Sequence, residues 1–215
     1  LLLGLAPHVI WPMRFVLPHD AHLHPAWFIR LGLFVYDHLA ARAGLPASRL
    51  VRLRNHPAGM PLDPRYRVAF EYSDAWVDDA RLVVLNAMDA AERGASILTR
   101  TRCDAAVREG HGWRATLVAA DGRRTQLVAR ALVNATGPWA GQFARDVATV
   151  VDPPQMRLVR GSHIIVRRLF DHDYAYIFQT PDQRIVFAIP YEQDLTLLGT
   201  TEVDVGSDPV PAEIS

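Results

Sequence analysis

Arg130-Ala131-Leu132-Val133-Asn134-Ala135-Thr136-Gly137-Pro138-Trp139 is the stretch on which the fold turns. Ala131 to Val133 carry no charge and read as a short buried strand. Asn134 to Pro138 then turn the chain, and Trp139 to Val147 read as the next helix. Gly137 has no Cβ, so another group can come close to the backbone there. Pro138 suits the first turn of a helix, where its missing N–H costs nothing. Free backbone N–H groups at such a helix start favour an anion, typically a phosphate. A plain structural corner accounts for the same residues.

Working outward, the 215 residues suit one large domain or two small ones. The 23 basic and 23 acidic side chains cancel, which gives no reason to propose nucleic acid as a partner. The single cysteine, Cys103, rules out an internal disulfide and a Cys-based zinc site of its own. His19, His22 and His24 lie close together beside Pro18 and Pro25, as a polar loop or a metal site would; no metal site is assigned. No apolar run reaches the roughly 18 residues of a spanning helix. Leu1-Leu2-Leu3 has no basic flank, so it is no signal peptide and looks like the tail of a helix cut in the middle. Pro209 to Ser215 likewise stops without closing an element. Both ends suggest a piece of a longer protein.

Upstream of the opening stretch, Pro12 to Pro18 reads as a strand with Met13, Phe15 and Leu17 on one face. Pro25 to Ala43 reads as a helix that starts at a proline and ends at Gly44. Its apolar set of Trp27, Phe28, Leu31, Phe34, Val35 and Leu39 is wide. A core helix satisfies it, and so does a membrane-surface helix with Arg30 and Arg42 toward lipid headgroups. Arg49 to Arg67 reads as a loop, and Val68 to Tyr72 as a short strand. Asp78 caps a helix over Asp79 to Arg93, which Gly94 stops. Ser96 to Thr101 reads as a strand, making an αβ unit with that helix. Asp104 to Arg108, Trp113 to Ala119 and Arg124 to Leu127 read as a small antiparallel sheet with a turn at Asp121-Gly122.

Downstream, Pro153-Pro154 marks a boundary. Met156 to Val166, Tyr174 to Gln179, Arg184 to Pro190 and Thr196 to Gly199 alternate as strands of a largely antiparallel sheet. No internal repeat or low-complexity tract occurs.

Taken together, several blocks resemble one family: Ala6-Pro7-His8, Pro12 to Phe15, Leu17 to His19, Gly32 to Phe34, Tyr36 to Leu39, Phe70 to Asp74, Trp76 to Leu82, Leu98 to Arg102, Leu132 to Trp139, Gly161 to His163 and Leu198 to Glu202. In this order and spacing they are similar to the flavin-dependent glycerol-3-phosphate dehydrogenases of respiratory membranes. These belong to the wider class of FAD amine and alcohol oxidases. The resemblance implies an α/β (α+β) fold, in which a partial FAD-binding Rossmann-like domain is interleaved with a mostly antiparallel substrate domain. Residues 1–74 and 153–215 then belong to the substrate domain, and 75–152 to the FAD domain.

The family's opening Gly-x-Gly-x-x-Gly turn, which holds the FAD pyrophosphate, does not occur here. Nor do its N-terminal arginine-tyrosine pair and its late arginine, both near the substrate. The chain therefore reads as the central portion of the enzyme, and on its own it is expected neither to hold FAD firmly nor to turn over.

For individual residues, the resemblance implies that Cys103 pairs its backbone with the adenine of FAD, with Arg102 beside it. A buried small thiol is the alternative. Ala135, Thr136, Gly137 and Trp139 match the turn that passes beside the cofactor. Arg160 can fork onto a substrate phosphate, and His163 can move a proton; an exposed arginine and a satisfied strand histidine are the bland alternatives. Thr200 and Thr201 can hydrogen-bond a hydroxyl or phosphate, or can be there for β-propensity. Asp78 and Asp79 are better explained by capping than by catalysis.

The implied reaction is oxidation of sn-glycerol 3-phosphate to dihydroxyacetone phosphate, with electrons passed through FAD to membrane quinone. It implies a bacterial enzyme, peripheral on the cytoplasmic face of the inner membrane, and a homodimer as an open alternative to a monomer. Another FAD oxidase of the same fold, acting on glycerophosphate with oxygen or on amino acids, and a non-enzymatic binding module are the competing readings.

Overall fold

The computed structural model describes residues 2–39, 44–153 and 155–206. The chain forms two compact units. One comprises Leu1–Asn86 and Gly161–Glu202; the other comprises Ala87–Arg160 and the segment from Val203 onward.

The first unit is built on a sheet in the order β2-β3-β1-β8-β9-β10-β7. Its strands are β1 (Ile10–Pro18), β2 (Arg49–Arg52), β3 (Val68–Val77), β7 (Leu158–Arg167), β8 (Ala175–Gln179), β9 (Ile185–Tyr191) and β10 (Leu195–Gly206). β1 and β3 pair antiparallel over their length, with Phe15 opposite Tyr72 and Val16 opposite Glu71. β1 and β8 run parallel, whereas β8/β9 and β9/β10 are antiparallel. The largely antiparallel sheet expected after residue 153 is present, and it continues into strands from the first third of the chain.

Alternation places Val16, Ala69, Tyr176 and Ala188 on one buried face, where Val51, Leu53, Ala58 and Phe170 join them. Each large apolar side chain sealed this way contributes roughly 1.5–3 kcal/mol. Three of these residues, Val51, Leu53 and Ala58, correct the reading of Arg49 to Arg67 as a plain loop. Arg49–Arg52 is a strand, antiparallel to β3, and short 3₁₀ turns at Leu53–Asn55 and Pro57–Gly59 carry Leu53 and Ala58 into the core. Pro and Arg density hid a segment in which Val51, Leu53 and Ala58 point inward while Leu50 and Met60 stay exposed.

α1 (Leu2–Leu5) precedes β1, and α2 (Ala26–His38) starts after Pro25, as expected. The expected continuation to Ala43 lies outside the described residues, as do Arg42, Pro154 and the end from 207 onward. α2 is not a core helix in this chain, because none of its residues is buried. It is held through polar contacts. Tyr36 donates to the Ser73 carbonyl at 3.0 Å, and Arg30 donates to Ser48 Oγ at 2.7 Å. Asp37 accepts from the Ser48 hydroxyl at 2.7 Å. Trp27, Phe28, Leu31, Phe34 and Val35 are left exposed.

In the second unit, β4 (Thr101–Glu109), β5 (Gly112–Ala119) and β6 (Arg124–Ala129) form the expected antiparallel sheet. Gly122 adopts φ +82° in the turn between β5 and β6, where a side chain would be strained. α3 (Asp79–Glu92) precedes the sheet; Asp78 Oδ1 accepts from the Arg81 N–H at 3.2 Å, and Gly94 ends the helix at φ +92°. Two expected strands are not formed. Ser96 to Arg100 is coil and turn, with Arg100 at φ +52°, and pairing begins only at Thr101. Ala131 to Val133 is extended coil with Val133 84 % exposed, because no described strand pairs with it. The αβ unit expected there is therefore absent: β4 belongs to a meander. The expected helix from Trp139 is irregular. A 3₁₀ turn (Gly137–Trp139), α4 (Ala140–Gln142) and a wider π turn (Phe143–Val147) follow one another.

Candidate functional site

The second unit holds the residues expected beside a cofactor. Gly137 has φ +57°, and a Cβ placed on it would meet nothing within 4 Å. The backbone there is both left-handed and open to approach. Asn134 fixes the corner from inside: its Nδ2 donates to the Ala140 carbonyl at 2.8 Å, and its Oδ1 accepts from the Thr136 hydroxyl at 2.8 Å. Nothing in the sequence reading had singled out Asn134, although an Asn at a turn is a recurrent backbone mimic. Ala135 and Trp139 are exposed, Trp139 at 55 %.

The Phe143–Val147 turn that follows packs on β4, the strand carrying Arg102 and Cys103. β4 is an edge strand of its sheet, with a register shift between Cys103 and Ala105. Its outer backbone groups are available for pairing with a flat ring, a property of edge strands. Burial pushes the Cys103 thiol pKa up, a hydrogen bond with the Ala105 backbone opposes this, and Asp104 adds to the rise. The side chain is therefore a thiol rather than a reactive thiolate. Arg102 pairs with Asp104 at 2.8 Å and borders an open depression formed with Arg100, Thr101, Val118 and Ala119.

In the first unit, neighbouring strands bring His163 and the Gly199–Thr201 run together. A Cβ on Gly199 would lie on the His163 ring, 2.8 Å from its Cγ. A Cβ on Gly161 would lie 2.6 Å from Thr200 Oγ1. The Thr200 hydroxyl donates to the Thr201 carbonyl at 3.3 Å, and both His163 and Thr201 are exposed. Arg160 is not on the same side. Strand alternation along β7 puts Arg160 and Ser162 on the half-buried face and Gly161 and His163 on the exposed one. Arg160 and His163 therefore lie on opposite faces of β7.

His19 and His22 are occupied with carbonyls, Nε2 of each lying 3.1 Å from His24 O and 2.7 Å from Gln179 O. Among the described residues no group of side chains has the makings of a metal site.

Two features escaped the sequence reading. A cleft of about 680 Å³ opens on the first unit between Trp11 to Arg14, Trp76 to Asp79, Asp173 and Pro190 to Glu192. None of the expected site residues lines it. The other is a buried carboxylate, Glu71, 2 % exposed, which accepts from Arg14 Nε at 2.6 Å and Arg49 Nε at 2.9 Å, with His56 Nε2 at 3.4 Å. Burial alone would raise its pKa, but the hydrogen bonds from Arg49 and Arg14 outweigh this and hold the carboxyl below the usual range. A Glu in an otherwise apolar strand, Ala69-Phe70-Glu71-Tyr72, was the available signal.

Comparison with known proteins bears on both units. A family model described as FAD dependent oxidoreductase matches residues 1–215. A Pseudomonas aeruginosa protein named glycerol-3-phosphate dehydrogenase is 51 % identical over 214 residues, covering 100 % of this chain and 41 % of its own length. A Brucella abortus protein named D-erythritol 1-phosphate dehydrogenase is 50 % identical over 203 residues, covering 94 % of this chain and 40 % of its own. This chain thus spans about two fifths of the relatives it matches. Among solved structures, glycine oxidase from Geobacillus kaustophilus superposes with a TM-score of 0.66 at 16 % identity, over 95 % of this chain and 50 % of that one. This last likeness concerns the fold alone.

Proposed function

This chain belongs to the FAD-dependent oxidoreductase family, and on that premise we propose that it is the central segment of a glycerol-3-phosphate dehydrogenase. The observation that carries the reading is the 51 % identity across the whole chain to a protein of that name. The proposed reaction oxidises the C2 hydroxyl of sn-glycerol 3-phosphate to the ketone of dihydroxyacetone phosphate. FAD, when bound, would supply the hydride-accepting chemistry, with quinone as the proposed electron acceptor.

The residues present fit the flanks of that cofactor and not its pyrophosphate. Gly137 leaves clear space over its backbone, and the edge strand β4 offers Cys103 backbone groups beside Arg102. No Gly-x-Gly-x-x-Gly turn occurs in the 215 residues. On this reading Ala135, Thr136, Gly137 and Trp139 border the cofactor, and residues 75–152 belong with its domain. His163 accepts the hydroxyl proton, while Thr200 and Thr201 orient the substrate's oxygens. Arg160 lies on the opposite face of β7 from His163, and no role is assigned to it in this reading. In the full-length enzyme, His163→Ala is expected to lower kcat about 10²- to 10⁴-fold with FAD retained. Unchanged turnover would remove His163 from the mechanism.

A second substrate has an observation in its favour, the 50 % identity to a D-erythritol 1-phosphate dehydrogenase. The two polyol phosphates share a phosphate and a secondary alcohol and differ in chain length. Relative kcat/KM of the full-length enzyme for each decides between them; preference for the four-carbon substrate would overturn the first assignment.

The exposed face of α2 supports a seat on the cytoplasmic surface of the bacterial inner membrane, where quinone is the electron acceptor. Trp27 is 69 % exposed, with Phe28, Leu31, Phe34 and Val35 beside it. No described helix is long and apolar enough to cross a membrane. Arg30 is exposed and donates to Ser48 Oγ through one guanidinium nitrogen, which leaves its other N–H groups for lipid headgroups. Full-length protein is expected to pellet with anionic vesicles, and Trp27→Ser/Phe34→Ser to weaken this. Protein that stays in the supernatant and sediments as a dimer would assign the face to a second copy instead.

A further inference from the structure

Glycines inside strands weaken them, so each calls for a reason. Four glycines among the described residues would bring an added Cβ within 3 Å of a neighbour: Gly59, Gly112, Gly161 and Gly199. For Gly59 and Gly112 the obstacle is a carbonyl, of Leu53 and Ala129. For Gly161 and Gly199 the nearest obstacle is a polar side chain on the adjacent strand. Neither has a positive φ, so left-handed backbone is not the reason for glycine at either position. The pattern is reciprocal. Gly199 of β10 lies under the His163 imidazole of β7, and Gly161 of β7 lies under the Thr200 hydroxyl of β10.

We propose that Gly199 and Gly161 are positioning residues, each forming a seat that fixes the direction of the polar side chain across from it. The proposal rests on the reading of His163 as the proton acceptor. Without a Cβ at Gly199, the imidazole lies directly on the β10 backbone. With one, the ring has to rotate away, because the Ser162 carbonyl oxygen at 2.9 Å blocks a shift of the strand instead. The imidazole stands on the exposed face of its strand, with the β10 backbone at Gly199 against it. The seat therefore determines where its nitrogens point, and proton transfer depends on that direction.

The test uses the full-length flavoprotein with Gly199→Ala, His163→Ala and the double variant. G199A is expected to lower kcat/KM about ten- to a hundredfold, the scale of a small misplacement, at unchanged flavin content and Tm. The double variant is expected to be no slower than H163A alone, since the glycine acts only through the ring. The His163 Cε1 proton resonance is expected to move in G199A. Additive losses, or wild-type kinetics with an unmoved resonance, would overturn the seat. Wild-type kinetics in H163A would remove the proton-acceptor reading alone, and the resonance would then decide the seat. If G199A does not fold, Gly161→Ala replaces it, since its one neighbour inside 3 Å is a hydroxyl that can rotate. G161A is expected to lower kcat/KM in wild type but not in a Thr200→Val background, and wild-type kinetics in G161A would overturn the proposal.

Discussion

Glu71 joins three parts of the first unit through one carboxylate: Arg14 from β1, Arg49 from β2 and His56 from the turn that follows. Arg14 also donates to Ser73 Oγ and to the Pro46 carbonyl, so the guanidinium is held on several sides. Glu71→Gln would leave Arg14 with its charge uncompensated. The expected loss is about 3–5 kcal/mol, the scale for breaking one side of a buried pair, read from the urea midpoint at pH 7; an unchanged midpoint would show the cluster to be idle. The pH dependence has a definite sign. The folded pKa lies below the unfolded value of about 4.3, so the stabilisation is full above that value and is lost as pH falls through the folded one.

His172 titrates in a different window. Its Nδ1 accepts from the Tyr174 N–H at 3.3 Å. Its Nε2 lies 2.9 Å from the Tyr176 hydroxyl, which donates to the Ala58 carbonyl at 2.6 Å. That arrangement needs a neutral ring with its proton on Nε2. Burial pushes the pKa down, with nearby His56 and Arg168 adding to it and Asp173 opposing. A base depressed in the fold stabilises it fully above the unfolded pKa of about 6.5. This contribution is lost as pH falls from there through the lower folded value. Urea midpoints are expected to drop between pH 7 and pH 5, and His172→Gln to flatten that drop; an equal drop in the variant would assign it elsewhere.

At the scale of elements, the α3 start gives a contained prediction. Asp78→Ala removes the acceptor for the Arg81 N–H and is expected to cost about 1 kcal/mol. A thermal midpoint equal to wild type would show the cap to be redundant. This cap, the β5–β6 turn at Gly122 and the alternating strands after residue 153 were all legible in the sequence, because each is decided by neighbours a few residues away. Ala131 to Val133 was not, because an apolar run becomes a strand only when a partner pairs with it. Ser96 to Arg100 failed for the converse reason: a left-handed residue at Arg100 delays pairing by local geometry that propensity does not register. The site was legible in part. The motifs pointed to His163 and Thr200, but only the strand pairing places them together and turns Arg160 away. Glu71 stood out as a charge in an apolar strand, but its partners Arg14, Arg49 and His56 are far apart in sequence and had no local signature.

At the scale of the whole molecule, the amount of apolar surface left open is the main fact. α3 has no buried residue and exposes Val83, Val84 and Met88; β6 has none either. α2 and the coil at Val133 add to this. Exposed apolar area on this scale marks faces that something else covers, and the chain spans 41 % of the length of its Pseudomonas relative. The 215 residues expressed alone are therefore expected to bind an apolar dye more strongly, and to associate more, than the full-length protein. The same comparison bears on the cofactor. On the proposed reading Gly137 and β4 border FAD without holding its pyrophosphate, so the 215 residues are expected to lose added flavin on dialysis, whereas the full-length protein stays yellow. A 215-residue piece that is monomeric, dye-silent and yellow, and that reduces a dye with glycerol 3-phosphate, would show that these surfaces need no cover and that the cofactor is held without the glycine-rich turn.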